Sequence, residues 1–133
     1  MEFNQYNTTV QQWIHTVLEN RETNADVVLE CCRDIIAYGR ETDDPKLMGF
    51  GFFYGGEIYY ELNDGAHFFH MMTEALTYLD RAEEWELVVR CYNFLGIASM
   101  SRGNPSLALD YYMNGLKAVS YTHLRAHETR GNL

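Results

Sequence analysis

The sequence predicts an all-α protein, built as an α-solenoid of about three antiparallel helix hairpins. Apolar residues recur at helical spacing along most of the chain, and only two prolines occur in 133 residues. The stretch from Phe52 to Gly56 recurs in matched register as Tyr92 to Gly96, and a loop signal follows each copy. A repeated hairpin of this size buries its apolar face only by stacking on a neighbour, which predicts a solenoid.

The first hairpin is predicted over residues 8–39. Its first helix runs from about Thr8 to Asn20, where apolar side chains share one face. Asn24 or Thr23 is expected to cap the second helix, because both side chains accept hydrogen bonds from the first helical turn. The second helix is expected to stop near Gly39.

The second hairpin is predicted over residues 45–80. Pro45 suits the first turn of a helix, since that position needs no backbone N–H, and this third helix continues to about Leu62. The fourth helix spans roughly Gly65 to Leu79. A charged link from Asp80 to Glu84 then leads to the last hairpin, so the two hairpins are expected to be separated by a longer connection.

The third hairpin is predicted over residues 84–118. Its first helix extends from about Glu84 to Arg102. Asn104 followed by Pro105 combines a capping residue with a first-turn proline, and this pair opens the sixth helix. The short links within the hairpins make the paired helices antiparallel neighbours. Residues 1–118 are therefore expected to form one helical repeat domain.

Charge and composition exclude several classes of partner. The formal net charge is −9, from 19 acidic residues against 10 Lys plus Arg. A nucleic-acid binder needs a basic surface, and anionic membranes attract basic segments, so neither partner is expected. The acidity could suit a basic or neutral peptide partner, but ordinary solubility is the simpler and preferred explanation.

The N-terminus and the cysteines favour a cytoplasmic protein. The first residues contain neither a basic stretch nor an apolar core, so no signal peptide is predicted, and no apolar run is long enough for a membrane span. The three cysteines, Cys31, Cys32 and Cys91, make a poor disulfide framework. We interpret the adjacent pair as small buried apolar residues in a helix rather than as a redox pair.

The last fifteen residues differ from the rest of the chain. The segment from Val119 to Leu133 shows no helical apolar stripe. It resembles the translation of a transposon-end adapter used in sequencing libraries. We therefore expect residues 119–133 to be a non-native tail on a metagenomic fragment, and the natural protein to continue beyond Ala118. The alternative is a native polar tail after the last helix.

The third hairpin resembles a tetratricopeptide repeat. Five positions match the family pattern of aromatic, Leu-Gly and small residues: Tyr92, Leu95, Gly96, Ala108 and Tyr112. The second hairpin matches at Phe52, Gly56, Tyr59 and Ala75, and the first follows only in length and periodicity. Gly56 and Gly96 are poor helix formers, so they are expected to let the partner helix approach closely. Their spacing exceeds the usual 34 residues, and the extra residues fit the Asp80–Glu84 link.

This resemblance implies a concave groove lined by the first helix of each hairpin. Matched positions place seven residues in a peptide-binding groove: Phe50, Phe53, Glu57, Tyr60, Arg90, Asn93 and Ile97, with Glu61 and Met100 beside them. Phe52 and Tyr59 are expected in the core instead. Asn93 stands out, because a side-chain amide donates to and accepts from a peptide backbone at once. A solvated polar residue is the equally weighted alternative.

The sequence of the third hairpin is also similar to that of the helical sensory regions that precede bacterial diguanylate cyclase domains. The cyclase signature itself is absent, and Gly55-Gly56-Glu57 resembles it only superficially within a helix. No catalytic motif is distinguishable from chance, and no cofactor is expected. His67, His70 and Glu74 share one helix face, but an exposed helix face is a better interpretation than a metal site.

These observations lead to one main functional prediction and two alternatives. The chain is expected to be a non-enzymatic scaffold that binds a protein or peptide, as the N-terminal regulatory part of a bacterial signalling protein. The first alternative is the sensory fragment of a diguanylate cyclase. The second is a structural module that self-associates through Leu109, Tyr112 and Leu116 of the last helix. This helix is expected to lack the polar capping repeat that ends a solenoid.

Overall fold

The computed structural model describes the backbone of residues 1–131 and the side chains of residues 1–124. Over these residues the chain is all-α, with six helices and no strand, which confirms the predicted fold class. The helices are α1 (Thr8–Asn20), α2 (Ala25–Glu41), α3 (Pro45–Glu61), α4 (Gly65–Arg81), α5 (Trp85–Ser101) and α6 (Pro105–Gly131). None of these helices is both long and apolar enough to cross a membrane within the described residues.

The four helices α2 to α5 form a regular series. Each has 17 residues, and linkers of three residues separate them, so helices begin at residues 25, 45, 65, 85 and 105. The middle residue of each linker has a positive φ of 51° to 76°: Asp43, Asn63, Glu83 and Gly103. A left-handed residue just after a helix ends it and lets the following amide satisfy a free carbonyl. The chain therefore repeats its turn geometry at every step from α2 to α6.

Two predicted helix boundaries are wrong. The second helix passes Gly39 and ends at Glu41. A Cβ at Gly39 would lie 2.9 Å from the Met48 Cγ atom, so this glycine permits close packing of α3 rather than ending α2. The predicted Asp80–Glu84 link is also shorter, because α4 continues to Arg81. The residues beyond the usual repeat length therefore lie in the helices and not in a longer connection.

The predicted caps are confirmed. The Asn24 side chain accepts a hydrogen bond from the Val27 amide, which identifies Asn24 rather than Thr23 as the cap of α2. Pro45 occupies the first turn of α3. Asn104 Oδ1 accepts from the Leu107 amide at 3.2 Å. Side-chain oxygens in these positions satisfy amides that have no partner inside the helix.

The predicted role of the two mid-helix glycines is also confirmed. A Cβ at Gly56 would lie 3.1 Å from the Met72 methyl group, and one at Gly96 would lie 2.6 Å from the Tyr112 ring. The Tyr112 ring therefore lies closer to Gly96 than an alanine would allow, whereas an alanine at position 56 would require Met72 to shift by a few tenths of an ångström. Met72 and Tyr112 each follow the glycine that they contact by 16 residues, so the two contacts are equivalent in the repeat.

The helices group into two compact units, Met1–Ala82 and Glu83–Leu133. In the first unit α1 packs on α2, α2 on α3, and α3 on α4. In the second unit α5 packs on α6. Helix α3 is buried without interruption from Leu47 to Ile58, because it lies between α2 and α4 and is the centre of the first unit.

Helix α6 continues without a break past Ala118, where the sequence predicts that the repeat domain ends. Tyr121 stacks on Trp85 of α5, with 4.8 Å between the ring centroids. One residue of the predicted tail therefore packs against α5. The side chains of residues 125–131 and all of residues 132–133 lie outside the described part. The non-native origin of residues 119–133 stays a prediction.

Candidate functional site

The predicted groove residues of α3 lie in the core of the first unit. Phe50 and Phe53 are 1% and 0% exposed, and Glu57 is 9% exposed. Both aromatic rings pack against Tyr54, at centroid distances of 4.6 and 4.9 Å. Phe52, predicted to be a core residue, is buried as well. The two phenylalanine rings therefore offer no free surface to a ligand in this structure.

The N-terminal segment covers one end of this face. The Phe3 ring meets Phe50 edge to face, with 5.2 Å between centroids. The Lys46 ammonium lies 4.9 Å from the Phe3 ring centroid and donates a hydrogen bond to the backbone carbonyl of Glu2. Aromatic and cation–π contacts of this kind hold a terminal segment that otherwise has little packing. The chain's own N-terminus thus occupies the surface over Phe50.

Arg21 covers the other end of the same face. Its Nε and Nη2 atoms lie 2.8 and 2.7 Å from the two carboxylate oxygens of Glu57, so the pair is bidentate. The guanidinium also lies 5.0 Å from the Tyr54 ring centroid. The hydrogen bond to Glu57 raises the pKa of Arg21 above its ordinary value. Glu57, predicted to line a groove, is therefore committed to an internal ion pair.

The sequence analysis missed Arg21, which follows the end of α1 and precedes its partner by 36 residues. No local pattern signals a bidentate pair over such a distance. Tyr60 lies at the end of α3 and is half-buried, with its ring 5.4 Å from Phe68. It is the α3 candidate that keeps an accessible ring surface.

The predicted groove residues of α5 form one continuous stripe in the second unit. Arg90, Asn93, Ile97 and Met100 follow one another at steps of three or four residues, which places them on one helix face. Ile97 is 44% and Met100 53% exposed. Asn93 is exposed, and Arg90 is half-buried. We call these four residues the α5 stripe.

The opposite face of α5 explains why the stripe faces outward. Its buried residues are Leu87, Val88, Cys91, Leu95, Gly96, Ala98 and Ser99, and this face supplies the packing against α6. Tyr112 of α6 reaches the glycine of this face. The structure therefore brings the α5 candidates together, and it places the α3 candidates separately in the first unit.

The cysteines carry no disulfide. Cys32 and Cys91 are buried, and burial raises the pKa of both thiols, that of Cys91 to about 12. Cys31 is only partly buried, which differs from the prediction of two buried neighbours. A raised pKa keeps a thiol protonated and unreactive at neutral pH. The pKa values of both adjacent thiols are raised by burial, which argues against a reactive thiol site at this pair.

His67, one of the two histidines on the candidate metal-binding face, has other contacts. His67 Nδ1 lies 2.8 Å from an Asp64 carboxylate oxygen, and its ring stacks on Tyr59 at 4.8 Å. Across the residues with described side chains, no group of three or more His, Cys, Asp or Glu is placed to hold a metal ion. His67 contributes to the cap of α4 instead.

Comparison with known proteins gives no relative from which to transfer a function. No family model matches the chain, and no significant match occurs among curated proteins or solved structures.

Proposed function

We propose that this chain is a helical repeat scaffold that binds a peptide along the α5 stripe. The observation that carries the proposal is the exposure of Ile97 and Met100 beside a side-chain amide on the same face. A helix that serves only packing keeps its large apolar residues on the buried side. Apolar groups next to convergent polar groups are typical of a recognition surface.

The chemistry of the stripe suits a peptide with apolar side chains. The Asn93 amide donates to and accepts from a peptide backbone. Ile97 and Met100 contact apolar side chains, and Met adapts to several shapes because it is unbranched and flexible. This composition needs neither a cofactor nor a catalytic group.

We place this scaffold in the cytoplasm, as the N-terminal regulatory part of a bacterial signalling protein. The resemblance of the third hairpin to tetratricopeptide repeats supports this context, as does its similarity to sensory regions of diguanylate cyclases. A scaffold that binds a peptide and is connected to an effector domain acts as a sensor. A role as the sensory region of a diguanylate cyclase is the alternative form of the same proposal.

A matched set of variants tests the peptide-binding surface. Peptides are first selected against the wild-type protein from a random displayed library. Asn93→Ala and Ile97→Ala should each lower the affinity for the selected peptides by about fivefold or more, which corresponds to roughly 1 kcal/mol of binding free energy. Asn114→Ala is the control, because Asn114 is an exposed amide on α6 outside the stripe.

Circular dichroism on each variant checks that helicity is intact. Peptides that bind Asn93→Ala and Ile97→Ala as tightly as wild type would refute the assignment to α5. Phe53→Ala does not serve this test, because truncating a buried phenylalanine destabilises the fold by several kcal/mol.

Self-association is a second candidate function, and the surface of α6 favours it. Tyr112, which the sequence analysis placed on this face, is only half-buried and its ring packs against Gly96. The exposed residues are Leu109, Met113 and Leu116, which follow one another at four and three residues and are 58%, 53% and 66% exposed. The equivalent of Leu116 in α2, by the regular helix spacing, is Ile36, which α3 covers at Gly51. Leu116→Glu should abolish any concentration-dependent dimer in sedimentation velocity. A wild-type monomer at all concentrations would exclude this candidate.

A further inference from the structure

A cleft in the first unit has a composition unlike the rest of this acidic chain. It has a volume of about 280 Å³ and is lined mainly by α2, with one residue each from α3 and α4. Its residues are Leu29, Cys32, Arg33, Ile36, Ala37, Arg40, Tyr59 and Met71. None of the lining residues is acidic, although acidic residues outnumber basic ones almost two to one in the whole chain. We call this the arginine cleft.

Glycines of α3 create the apolar side of the cleft. A Cβ at Gly55 would lie 2.4 Å from the Met71 methyl group and 3.9 Å from the Cys32 Cβ atom. A Cβ at Gly51 would lie 2.6 Å from Ile36 Cγ1. Because these positions have no side chains, Met71 reaches across α3 toward α2. Met71 of α4 and the apolar residues of α2 therefore form one continuous apolar surface.

Two arginines border this surface. Arg33 and Arg40 are exposed and are seven residues apart on one face of α2, so their Cα atoms are separated by about 10 Å along the helix. Neither guanidinium has a carboxylate within 4 Å among the described side chains. The acidic residues closest in sequence, Glu30, Asp34 and Glu41, do not line the cleft.

We propose that the arginine cleft binds a small amphipathic carboxylate, whose apolar body lies on Ile36 and Met71 and whose carboxylate pairs with Arg33 or Arg40. A planar guanidinium presents two parallel donors that match a carboxylate. The apolar lining favours a hydrocarbon body over a purely ionic ligand. The volume limits the ligand to a short chain or a single ring. This site is separate from the α5 stripe and does not depend on it.

Octanoate is a suitable probe, and 1-octanol is its neutral match. Both are titrated into the full chain carrying ¹³C-labelled methyl groups, and the methyl resonances are followed by NMR. Octanoate should shift the methyl signals of Leu29, Ile36 and Met71 saturably, with a dissociation constant on the order of millimolar. Octanol should reach half-saturation only at a concentration at least about fivefold higher, since octanol makes no ion pair.

Two variants separate charge from shape. Arg33→Gln together with Arg40→Gln should weaken the binding of octanoate about tenfold. The binding of octanol should not change, because the apolar surface is intact. Ala37→Trp should weaken both probes, because it fills the cleft from an exposed position that tolerates a larger side chain. Lys117→Gln removes one positive charge from the second unit and should change neither titration.

Three results would overturn the proposal. The first is equal binding of octanoate and octanol, which would indicate a merely apolar surface. The second is an unchanged octanoate affinity in the doubly substituted protein. The third is a set of shifts concentrated at Met113 and Leu116 instead, which would indicate adsorption to the exposed face of α6. Retained helicity in each variant keeps these outcomes interpretable.

Discussion

The Arg21 guanidinium binds both carboxylate oxygens of Glu57, at 2.8 and 2.7 Å, and so joins the residue that follows α1 to the centre of α3. The same guanidinium lies over the Tyr54 ring. The repeat resemblance places Glu57 where a groove receives its ligand. Here an arginine of the chain itself fills that position, and for this reason the proposed peptide-binding surface is the α5 stripe alone.

Breaking this ion pair should destabilise the first unit. Arg21→Met removes the bidentate partner of the Glu57 carboxylate, whose side chain is only 11% exposed. We expect a loss of about 2 kcal/mol, below the 3–5 kcal/mol typical of fully buried pairs, because Arg21 retains 29% exposure and solvent screens it. Urea unfolding of the single variants and of the double variant with Glu57→Leu measures the coupling. Strictly additive losses would show that the pair contributes nothing as a pair.

Gly96→Ala should destabilise the second unit despite the better helix propensity of alanine. The new Cβ atom would lie 2.6 to 2.9 Å from three carbons of the Tyr112 ring. Overpacking of this kind costs about 1–3 kcal/mol, and alanine regains up to about 1 kcal/mol of propensity. Gly115→Ala is the matched control, because its closest new contact is 3.3 Å. Equal unfolding free energies for the two variants would contradict the close approach at Gly96.

Glu83→Gly should stabilise the chain. Glu83 has a φ of 56°, a left-handed conformation that costs a residue with a Cβ about 1–2 kcal/mol. Glycine removes that strain but loses more entropy on folding, so the expected net gain is about 0.5–1 kcal/mol. Asn63→Gly should gain less, since asparagine tolerates this conformation better. Thermal unfolding ranks the two variants, and a larger gain at residue 63 would contradict this explanation.

The cap of α4 should make stability depend on pH in the acidic range. The His67 backbone N–H donates to Asp64, which lowers the pKa of this carboxyl below its ordinary value. A group whose folded-state pKa is depressed contributes its stability above the unfolded-state pKa. That contribution is lost as the pH falls through the folded-state value.

Asp64→Asn keeps a capping oxygen but removes the titration. The wild-type melting temperature should therefore exceed that of Asp64→Asn near pH 7, and the difference should shrink toward pH 3. A difference that stays constant over this range would show that the Asp64 charge has no role in the cap.

Local features of the fold were accessible from the sequence because they depend on short-range chemistry. Asn24, Pro45 and Asn104 mark helix starts by hydrogen bonding and ring geometry alone. The helix ends were harder to predict. Gly39 looks like a terminator but serves close packing with Met48, and the true ends use left-handed residues that include Glu83.

The candidate site was predictable only on one helix. The α5 stripe follows from helical periodicity, which fixes the face shared by Asn93 and Ile97. Phe3 covers Phe50 and Arg21 pairs with Glu57, and neither of these covering residues, distant in sequence, carries a local signal. The arginine cleft likewise depends on α3 glycines that bring Met71 toward α2.

Chemical-shift mapping of a selected peptide on the ¹⁵N-labelled chain is the most direct test of peptide binding by the α5 stripe. The account predicts that the largest amide shifts and line broadening fall at residues 90–100 and on the Asn93 side-chain amide. Perturbations confined to α2, to α6 or to the first residues of the chain would contradict it.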